Sequence, residues 1–356
     1  MVNLGLLFGG RSAEHDVSLV SARSLRDVLD LAKYTLIPVG ITREGAWVMP
    51  RDLDAALAEG LDEVAHDPVS LSADPTRPGL VVAGGRVIEL DVVFPVLHGP
   101  YGEDGTVQGL LELAGLPYAG AGVAASAVAM DKELMKAVFK AARLPQVDYV
   151  VLRDRGDSPY ACVAEVEAAF PYPVFVKPVN LGSSVGISKA HGRDELVEAL
   201  RLAFRYDRKV IVEAFCDGRE LECAVLGNGE PDASLPGEVL PANEFYDYES
   251  KYTDGKMSFG IPARLTDDQR GEVMGLAVAA FKAIDCAGFA RVDFFIEKAT
   301  GRPIVNEINT IPGLTEMSAF PKLWEASGLP YGELADRIVA LALERHSARR
   351  ALLSSR

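Results

Sequence analysis

Two strand-like segments late in the chain, residues 288–297 and 303–309, constrain the fold most strongly. The linking residues 298–301 include a glycine and are few enough to form a hairpin loop. Side chains alternate between the faces of a strand, and residues between the polar positions, such as Val292 and Ile308, are apolar. We therefore expect an antiparallel hairpin that buries one face in a core and carries polar groups on the other.

The polar face of this hairpin carries the side chains that point most directly to chemistry. Arg291 and Asp293 share one face of the first strand, and Glu307 and Asn309 share one face of the second. If the two faces coincide, three oxygen ligands and one guanidinium converge, which suits Mg²⁺ carried by a nucleotide phosphate. A solvated polar face is the alternative interpretation, and the hairpin alone does not decide between them.

The charge balance restricts the ligands of such a site. The 356 residues carry a formal net charge of −15, which argues against binding of nucleic acid or of an anionic membrane, because both need basic surface. A nucleotide would therefore need local cations, namely a few lysines, an arginine and metal. No apolar run approaches the ~20 residues that span a bilayer, so we expect no membrane partner.

The cysteines and the first residues indicate the compartment. Cys162, Cys216, Cys223 and Cys286 lack the spacing of disulfide or metal-ligand pairs, as is usual in a reducing cytoplasm. The chain opens with an apolar strand that runs directly into a glycine turn, which predicts a strand and not a signal peptide. Both features predict a cytoplasmic protein.

The first third of the chain alternates strand and helix patterns, which predicts an α/β unit with a mostly parallel sheet covered on both faces. We predict an α/β domain at 1–122, a mixed α+β subdomain at 123–208 and a C-terminal subdomain at 209–356. The last of these is expected to open with strands at 209–214 and 220–226.

Hydrophobic periodicity predicts the other elements. The predicted strands cover 2–8, 36–41, 91–97, 147–152, 174–177 and 185–189, and the predicted helices cover 17–29, 106–114, 130–142, 193–206, 267–284 and 331–345. Thr266 and Gln269 have the spacing of a capping box. The pattern predicts no element for 44–85, and a frayed tail for the basic run 345–350.

Lys177 ends a predicted strand and precedes a loop that contains Gly182, Ser183 and Ser184. Glycine lets backbone N–H groups approach an anion, serines add donors, and the lysine supplies a point charge for a phosphate. Taken alone, the segment is better explained as a surface hairpin. Together with the acidic hairpin it favours phosphate binding.

A second acidic segment surrounds the turn between two predicted strands. Glu213 ends one strand and Glu220 opens the next, with Phe215 and Cys216 between them. These groups would present carboxylate and backbone atoms to an adenine, and Glu220 would reach ribose hydroxyls. A polar turn between two strands explains the same pattern.

Two residues near the ends of early strands are further candidates. Glu14 opens the first helix, where the helix dipole favours a carboxylate, so it is either a first-turn residue or a ligand for a substrate ammonium group. His98 ends another strand, where open α/β sheets bind ligands. A lone histidine is more often structural, so the role of His98 stays open.

Two later segments also have the character of functional loops. The cluster of tyrosines and charges at 246–252, which includes Lys251 and Tyr252, lies in a long loop and predicts a lid, with a surface insertion as the alternative. Gly313 and a helix start near Ser318 together predict a pocket for a substrate carboxylate.

In this order, the elements resemble the ATP-grasp superfamily, and specifically the D-alanine–D-alanine ligases. The resemblance covers nearly the entire chain. The motifs that carry it are residues 6–18, 98–109 (His-Gly-Pro-Tyr-Gly-Glu-Asp-Gly-Thr-Val-Gln-Gly), 130–132 (Met-Asp-Lys), the Lys177 loop, 246–252 and 306–313 (Asn-Glu-Ile-Asn-Thr-Ile-Pro-Gly). It implies an N-terminal Rossmann-like parallel-sheet domain and two α+β subdomains that clamp ATP.

The resemblance also implies roles for the matching residues toward ATP and metal. Asp293, Glu307 and Asn309 would hold two Mg²⁺ ions, with Mn²⁺ as a substitute and Glu307 as the bridge. Lys132 and Lys177 would contact the ATP phosphates. The remaining nucleotide contacts would come from Ser184, Glu213, Phe215, Cys216, Glu220 and Lys251. The family often has lysine where this chain has Ala214.

For the amino acid substrates, the resemblance implies a second group of contacts. Glu14 would hold the ammonium group of the first D-alanine and would join Ser183 and Tyr252 in a hydrogen-bonded group between the first domain, the loop and the lid. Arg291 and the Gly313 backbone would form an oxyanion pocket.

The implied reaction is ligation of two D-alanine molecules for peptidoglycan synthesis. ATP would phosphorylate the first D-alanine to an acyl phosphate, and the amine of the second, held at its carboxylate by Ser318 and the backbone of Ala319, would attack it. The lid would keep water from the acyl phosphate. The resemblance further implies a cytoplasmic homodimer.

Three alternatives remain at this point. A ligase that joins D-alanine to D-lactate or D-serine is the nearest, and Tyr252 argues against the lactate version because relatives that make the ester differ there. A nucleotide-binding oxidoreductase would match the first strand and its two glycines but leaves the acidic hairpin unexplained. A non-catalytic ATP sensor of the same fold is disfavoured because each catalytic position holds a competent residue.

Overall fold

The structure is a computed structural model that describes residues 1–154, 160–182, 185–241 and 257–353. Within those ranges, every helix is too short or too polar to cross a membrane.

The first third of the chain alternates strands and helices. The strands are β1 (Val2–Gly9), β2 (Tyr34–Ile41), β3 (Trp47–Pro50), β4 (His66–Pro68), β5 (Ser70–Leu71), β6 (Gly79–Val81), β7 (Val87–Glu89) and β8 (Val92–Pro95). The helices are α1 (His15–Val28), α2 (Leu53–Glu59) and α3 (Thr106–Leu113), with short 3₁₀ turns at Leu61–Glu63 and Ala83–Gly85.

The first sheet has the order β4-β3-β2-β1-β8. β1 runs parallel to both β2 and β8, as the alternating pattern predicts, whereas β3 and β4 add an antiparallel edge. That edge, the helix α2 and the strands β5 and β6 of the small β5-β6-β7 sheet lie within residues 44–85, for which the sequence predicted no element, and β7 follows at Val87–Glu89. Strands of two to four residues are too short for hydrophobic alternation to reveal them.

The middle of the chain forms a four-stranded antiparallel sheet with the order β11-β10-β12-β9. Its elements are α4 (Val123–Met130), α5 (Lys132–Ala141), β9 (Tyr149–Arg153), α6 (Tyr160–Ala169), β10 (Val174–Pro178), β11 (Ser188–Ala190), α7 (Arg193–Ala203) and β12 (Lys209–Ala214). The strand expected to open the third unit, β12, therefore lies at the centre of this sheet. The three domain boundaries themselves stay a prediction.

The predicted helix 130–142 is in fact the second of two helices that meet at Asp131. The side chain of Asp131 accepts a hydrogen bond from the backbone N–H of Leu134 at 3.1 Å and so caps α5. A capped start ends the preceding helix, because the cap residue adopts extended backbone angles.

The last third forms a sheet with the order β16-β15-β13-β17-β18, and β14 pairs with β13 at its side. Its elements are β13 (Gly218–Gly227), β14 (Asp232–Ala233), β15 (Gly237–Pro241), β16 (Met257–Gly260), α8 (Asp267–Ala283), β17 (Gly288–Glu297), β18 (Pro303–Asn309), α9 (Ala319–Ala326) and α10 (Tyr331–Leu353). The capping box at the start of α8 is confirmed, since Thr266 and Gln269 exchange both hydrogen bonds.

The first and last sheets share one hydrophobic core. Phe289 of β17 lies 6.2 Å from Phe94 of β8 and 5.4 Å from Phe320 of α9, measured between ring centroids. All three rings are fully buried, and they belong to the same cluster as Leu4 of β1. The middle sheet packs around a separate cluster that includes Val212.

The predicted frayed tail is wrong. α10 continues to Leu353, and the guanidinium of Arg345 donates hydrogen bonds to the carbonyl oxygens of Gly120 and Tyr118, the second at 3.0 Å. Arg349 pairs with Glu112 of α3. The basic run is therefore ordered by backbone carbonyls and a carboxylate of the first third, which local sequence does not reveal.

Candidate active site

The polar faces of the acidic hairpin coincide. β17 and β18 pair with Arg291 opposite Asn309 and Asp293 opposite Glu307. A register shift follows Asp293, beyond the four polar residues, so it does not separate them. The four polar side chains therefore share one face of the hairpin, as expected, and the role of the three oxygen-bearing residues as metal ligands stays a prediction.

Arg291 and Asp293 form a two-pronged ion pair on this face. Nε and Nη2 of Arg291 donate to the two carboxylate oxygens of Asp293 at 2.7 and 2.8 Å. A third group, Glu222 on β13, lies directly opposite Asp293, and its Oε2 is 3.4 Å from Nε of Arg291. The sequence analysis did not identify Glu222. Its signal would have been its position two residues after Glu220, on the same face of the strand.

The donor set of the hairpin fits a hard divalent cation. Asp293 and Glu307 offer carboxylate oxygens and Asn309 an amide oxygen, which already accepts a hydrogen bond from the N–H of Ile311 at 3.1 Å. Among the described residues, no group of three or more His, Cys, Asp or Glu side chains is arranged to hold a metal.

Lys132 connects the middle of the chain to the hairpin. It is the first residue of α5, its Nζ donates to the carbonyl oxygen of Leu181 at 2.9 Å, and the same atom is 3.7 Å from Oε2 of Glu307. Lys209 of β12 pairs with the capping residue Asp131 and so fixes the start of the helix. A buried ammonium group consequently lies beside the candidate metal ligands and beside the loop that follows Lys177.

The second predicted phosphate lysine, Lys177, lies in a buried cluster. Its Nζ is 2.6 Å from Oε2 of Glu213, and Nζ of Lys136 is 3.0 Å from Oε1. Burial favours the neutral carboxyl form of Glu213, but the two lysines outweigh it and lower the pKa of Glu213 to about 2. Both oxygens therefore face lysines in this structure, and the assignment of Glu213 to adenine stays a prediction.

Lys136 is a second residue that the sequence analysis missed. It is almost fully buried, and burial lowers its pKa. Its spacing of four residues from Lys132 places both lysines on one face of α5, which is the sequence signal that would have identified it.

The other predicted nucleotide contacts lie around the turn between β12 and β13. Phe215 is 40% exposed, and its ring stacks on Phe175 with centroids 6.2 Å apart. Cys216 is half-buried, and burial together with nearby carboxylates raises its thiol pKa to about 11. Glu220 lies in the first part of β13. These contacts to adenine and ribose stay predictions.

Glu14 and His98 meet at the edge of the first sheet. Glu14 precedes α1 but makes no side-chain hydrogen bond to cap it, and it is nearly buried, which favours a ligand role over a capping role. Ser12 links the two residues, since its hydroxyl donates to the carbonyl of His98 at 2.7 Å and accepts from the N–H of Glu14. Burial opposes charging of the imidazole, but Glu103 and Glu14 outweigh it and raise the pKa of His98.

Gly313 and Ser318 lie together at the start of α9. Ser318 is the N-terminal cap residue of that helix, and its hydroxyl is 2.8 Å from the hydroxyl of Thr315 and 3.1 Å from the N–H of the same residue. A side chain on Gly313 would place its Cβ 2.7 Å from Oγ of Ser318, so the Ser318 hydroxyl would have to move away from Thr315 to make room for it.

One cavity of about 950 Å³ joins these groups. The sequence-predicted residues that line it are Glu14, Lys132, Arg291, Glu307, Asn309, Gly313 and Ser318. His98, Glu103 and Glu222 also line it, whereas Asp293, Lys177 and Glu213 are not part of its wall. The predicted residues Ser183, Ser184, Lys251 and Tyr252 lie outside the residues that the structure describes.

Two family models match the chain. The model for the D-ala D-ala ligase N-terminus covers residues 3–121, and the model for the D-ala D-ala ligase C-terminus covers residues 138–340.

Similar proteins carry the same description. A D-alanine–D-alanine ligase from Halothermothrix orenii is 49% identical over 348 residues, which are 96% of this chain and 98% of the relative. A D-alanine–D-alanine ligase from Acetivibrio thermocellus is 48% identical over 362 residues, with 96% of each chain covered.

Solved structures agree with the sequence comparisons. The D-alanine-D-alanine ligase from Coxiella burnetii superposes with a TM-score of 0.89 at 38% identity, over 99% of this chain and 97% of that one. The VanG D-Ala:D-Ser ligase from Enterococcus faecalis has a TM-score of 0.88 at 37% identity, over 96% of this chain and 99% of that one.

Proposed function

Because the chain belongs to the D-alanine–D-alanine ligase family, we propose that it joins two D-alanine molecules in an ATP-dependent reaction through D-alanyl phosphate. The products are D-alanyl-D-alanine for peptidoglycan synthesis, ADP and phosphate. Membership of a ligase family removes the oxidoreductase alternative.

One observation carries the proposal: a single cavity brings together groups with four complementary chemistries. Glu14 offers a carboxylate for a substrate ammonium group, and Lys132 offers a cation for a phosphate. Arg291 offers a guanidinium for an oxyanion. Ser318, at the start of a helix, offers donors to a carboxylate. A site that binds two amino acids and the phosphate end of a nucleotide needs all four of these groups.

In the first step, the carboxylate of the first D-alanine attacks the γ-phosphorus of ATP, and ADP leaves. Glu14 holds the ammonium group of that D-alanine, which points its carboxylate toward the hairpin. Lys132 and Lys177 compensate the charge on the phosphates and hold them in line for transfer.

In the second step, the free amine of the second D-alanine attacks the acyl carbon. Ser318 and the backbone at the start of α9 hold its carboxylate. Arg291 and the Gly313 backbone stabilise the oxyanion of the tetrahedral intermediate. Collapse of that intermediate forms the peptide bond and expels inorganic phosphate, and the amine loses its proton.

For the metal, we propose two Mg²⁺ ions, with Mn²⁺ as a substitute, held by Asp293, Glu307 and Asn309. When bound, they neutralise negative charge on the phosphates during transfer. We also propose a homodimer, which rests on the family resemblance alone. The cytoplasm is the proposed compartment because the reaction consumes ATP.

The proposal is tested by incubating the purified protein with ATP, Mg²⁺ and D-alanine while following phosphate release and dipeptide by mass spectrometry. We expect one D-alanyl-D-alanine per phosphate, and none with L-alanine. Parallel reactions with equimolar D-serine or D-lactate test the acceptor, because the similarity to a D-Ala:D-Ser ligase makes D-serine the relevant competitor.

Glu14→Gln should raise the KM for D-alanine, whereas Asp27→Asn, at a half-exposed position of the helix that follows Glu14, should not. If D-alanyl-D-serine were the main product, D-serine would be the second substrate and the proposed reaction steps would be unchanged. Absence of any ligated product despite ATP binding would refute the proposal and support an ATP sensor.

A further inference from the structure

The two roles proposed for the Arg291–Asp293 pair conflict with each other in this structure. Both carboxylate oxygens of Asp293 accept hydrogen bonds from Arg291, at 2.7 and 2.8 Å. A metal ion at Asp293 needs at least one of those oxygens, and its two positive charges would repel the guanidinium that is bound to both of them. Arg291 therefore has to shift when a cation binds, and its charge then needs another partner, because an uncompensated buried charge is costly.

Glu222 lies where such a partner is needed. It faces the same side of the sheet as Asp293, directly opposite it on β13, and it lines the cavity. Only 4% of the residue is exposed, and Oε2 is 3.4 Å from Nε of Arg291. A displacement of about half an ångström would bring this ion pair to ordinary hydrogen-bond length.

The charges on this face support the same conclusion. Glu222, Asp293 and Glu307 form a row of three carboxylates across β13, β17 and β18. Among the described residues, Arg291 lies against this row, Nζ of Lys132 is 3.7 Å from Glu307, and Lys177 and Lys136 also interact electrostatically with Glu307. Entry of a cation beside Asp293 and Glu307 would repel Arg291 toward the third carboxylate.

We propose that Glu222 is a positioning residue that accepts the guanidinium of Arg291 when a divalent cation binds, and thereby releases the oxygens of Asp293. The exchange keeps Arg291 in the cavity, where it faces the reacting groups. This inference rests on the proposed function, because it assumes that Asp293 binds the metal of a nucleotide complex.

The test measures binding of Mn²⁺ to the full chain in the presence of ADP, with free Mn²⁺ followed by electron paramagnetic resonance. Glu222→Gln keeps the shape of the side chain but removes its charge, and we expect it to weaken Mn²⁺ binding about tenfold. Glu238→Gln is the matched control, because Glu238 pairs with Arg219 at 2.9 Å in the same sheet, away from the hairpin. We expect the control to bind Mn²⁺ like the unaltered protein.

The decisive comparison repeats Glu222→Gln together with Arg291→Met. If Glu222 acts through Arg291, its substitution should change Mn²⁺ affinity less than twofold once the guanidinium is gone. An equal loss with and without Arg291 would mean that Glu222 acts directly on the metal and would overturn the proposal. Unchanged Mn²⁺ binding by the single variant would overturn it as well.

Glu222→Asp provides a second variant if the glutamine protein does not fold. It keeps the negative charge but withdraws the carboxylate from Arg291, so we expect weaker Mn²⁺ binding. Affinity equal to that of the unaltered protein would contradict the exchange. Dipeptide formation by the unaltered protein is assayed separately, so failure of the exchange and failure of the proposed function give different results.

Discussion

Glu213 lies between two lysines, with one carboxylate oxygen 2.6 Å from Nζ of Lys177 and the other 3.0 Å from Nζ of Lys136. The ionised carboxylate is stable in this buried position only because both lysines compensate it. Glu213 therefore contributes to the position of a lysine that we assign to the phosphates. At the scale of single residues, the sequence identified Glu213 and Lys177 as functional candidates, but it did not identify their partner Lys136.

The Glu213 cluster predicts a pH dependence of folding stability. The pKa of Glu213 is about 2 in the folded protein and near its usual value of 4.5 in the unfolded chain. A depressed folded-state pKa contributes stability that is complete above pH 4.5 and is lost as the pH falls toward 2. We expect Glu213→Gln to lower the free energy of unfolding by about 3–5 kcal/mol at neutral pH, because it leaves two buried lysines without their carboxylate.

The measurement is urea denaturation of both proteins between pH 7 and pH 2. The difference in unfolding free energy should shrink as the pH falls below 4.5. Glu272→Gln, at an exposed position of α8, is the control and should differ from the unaltered protein by no more than about 0.5 kcal/mol. A difference for Glu213→Gln that stays constant across this range would contradict the assignment.

At the scale of helices and strands, strong local sequence patterns predicted the structure correctly. The capping box of α8 and the alternation of the β17–β18 hairpin follow directly from sequence. The sequence did not predict the short elements between residues 44 and 85. It also did not predict the break at Asp131 between α4 and α5. A two-residue strand carries almost no periodicity, and a cap inside a continuous helical pattern depends on which hydrogen bonds form.

The capping box gives the prediction at this scale. Thr266→Ala removes the hydroxyl that accepts from the N–H of Gln269 at 3.2 Å, so we expect a loss of about 1 kcal/mol in the free energy of unfolding. Thr266→Ser keeps that acceptor and should stay within about 0.5 kcal/mol of the unaltered protein, because serine caps helices at least as well as threonine. Chemical denaturation of the two variants checks this order, and equal losses would show that the hydroxyl is not the cause.

At the scale of the whole molecule, the C-terminal helix and an aromatic cluster join distant parts of the chain. Arg345 of α10 donates to carbonyls of residues more than 200 positions earlier, and Phe289 packs between Phe94 and Phe320. These contacts place the first sheet, whose strand β1 leads to Glu14, beside the last sheet, which carries Arg291. The cavity exists because that packing brings the two sheets together.

Arg345→Ala tests the contribution of the C-terminal helix. The substitution leaves the carbonyls of Gly120 and Tyr118 without their charged donor, and we expect a loss of about 1–3 kcal/mol in the free energy of unfolding. Arg349→Ala removes only a surface ion pair with Glu112 and should lose at most about 1 kcal/mol. Thermal or urea denaturation decides, and a smaller effect for Arg345 than for Arg349 would refute the assignment.

Phe289→Ala tests the shared core. Removal of this fully buried ring should cost about 3–5 kcal/mol, because it leaves a cavity between the two sheets. Leu113→Ala, at a position that is 72% exposed, is the control and should lie within about 0.5 kcal/mol of the unaltered protein. A Phe289 variant as stable as the control would show that the sheets are held by other contacts.

The sequence alone determined the types of side chain in the site, the hairpin that carries Arg291 and Asp293, and the family resemblance. It did so because strand alternation, caps and glycine turns are local properties of the chain. The tertiary structure decided that Lys136 faces Glu213, that Glu222 lies beside Arg291, and that the basic tail is helical. Those contacts join residues far apart in the chain, and their energies depend on burial and charge, which exist only after the sheets have packed.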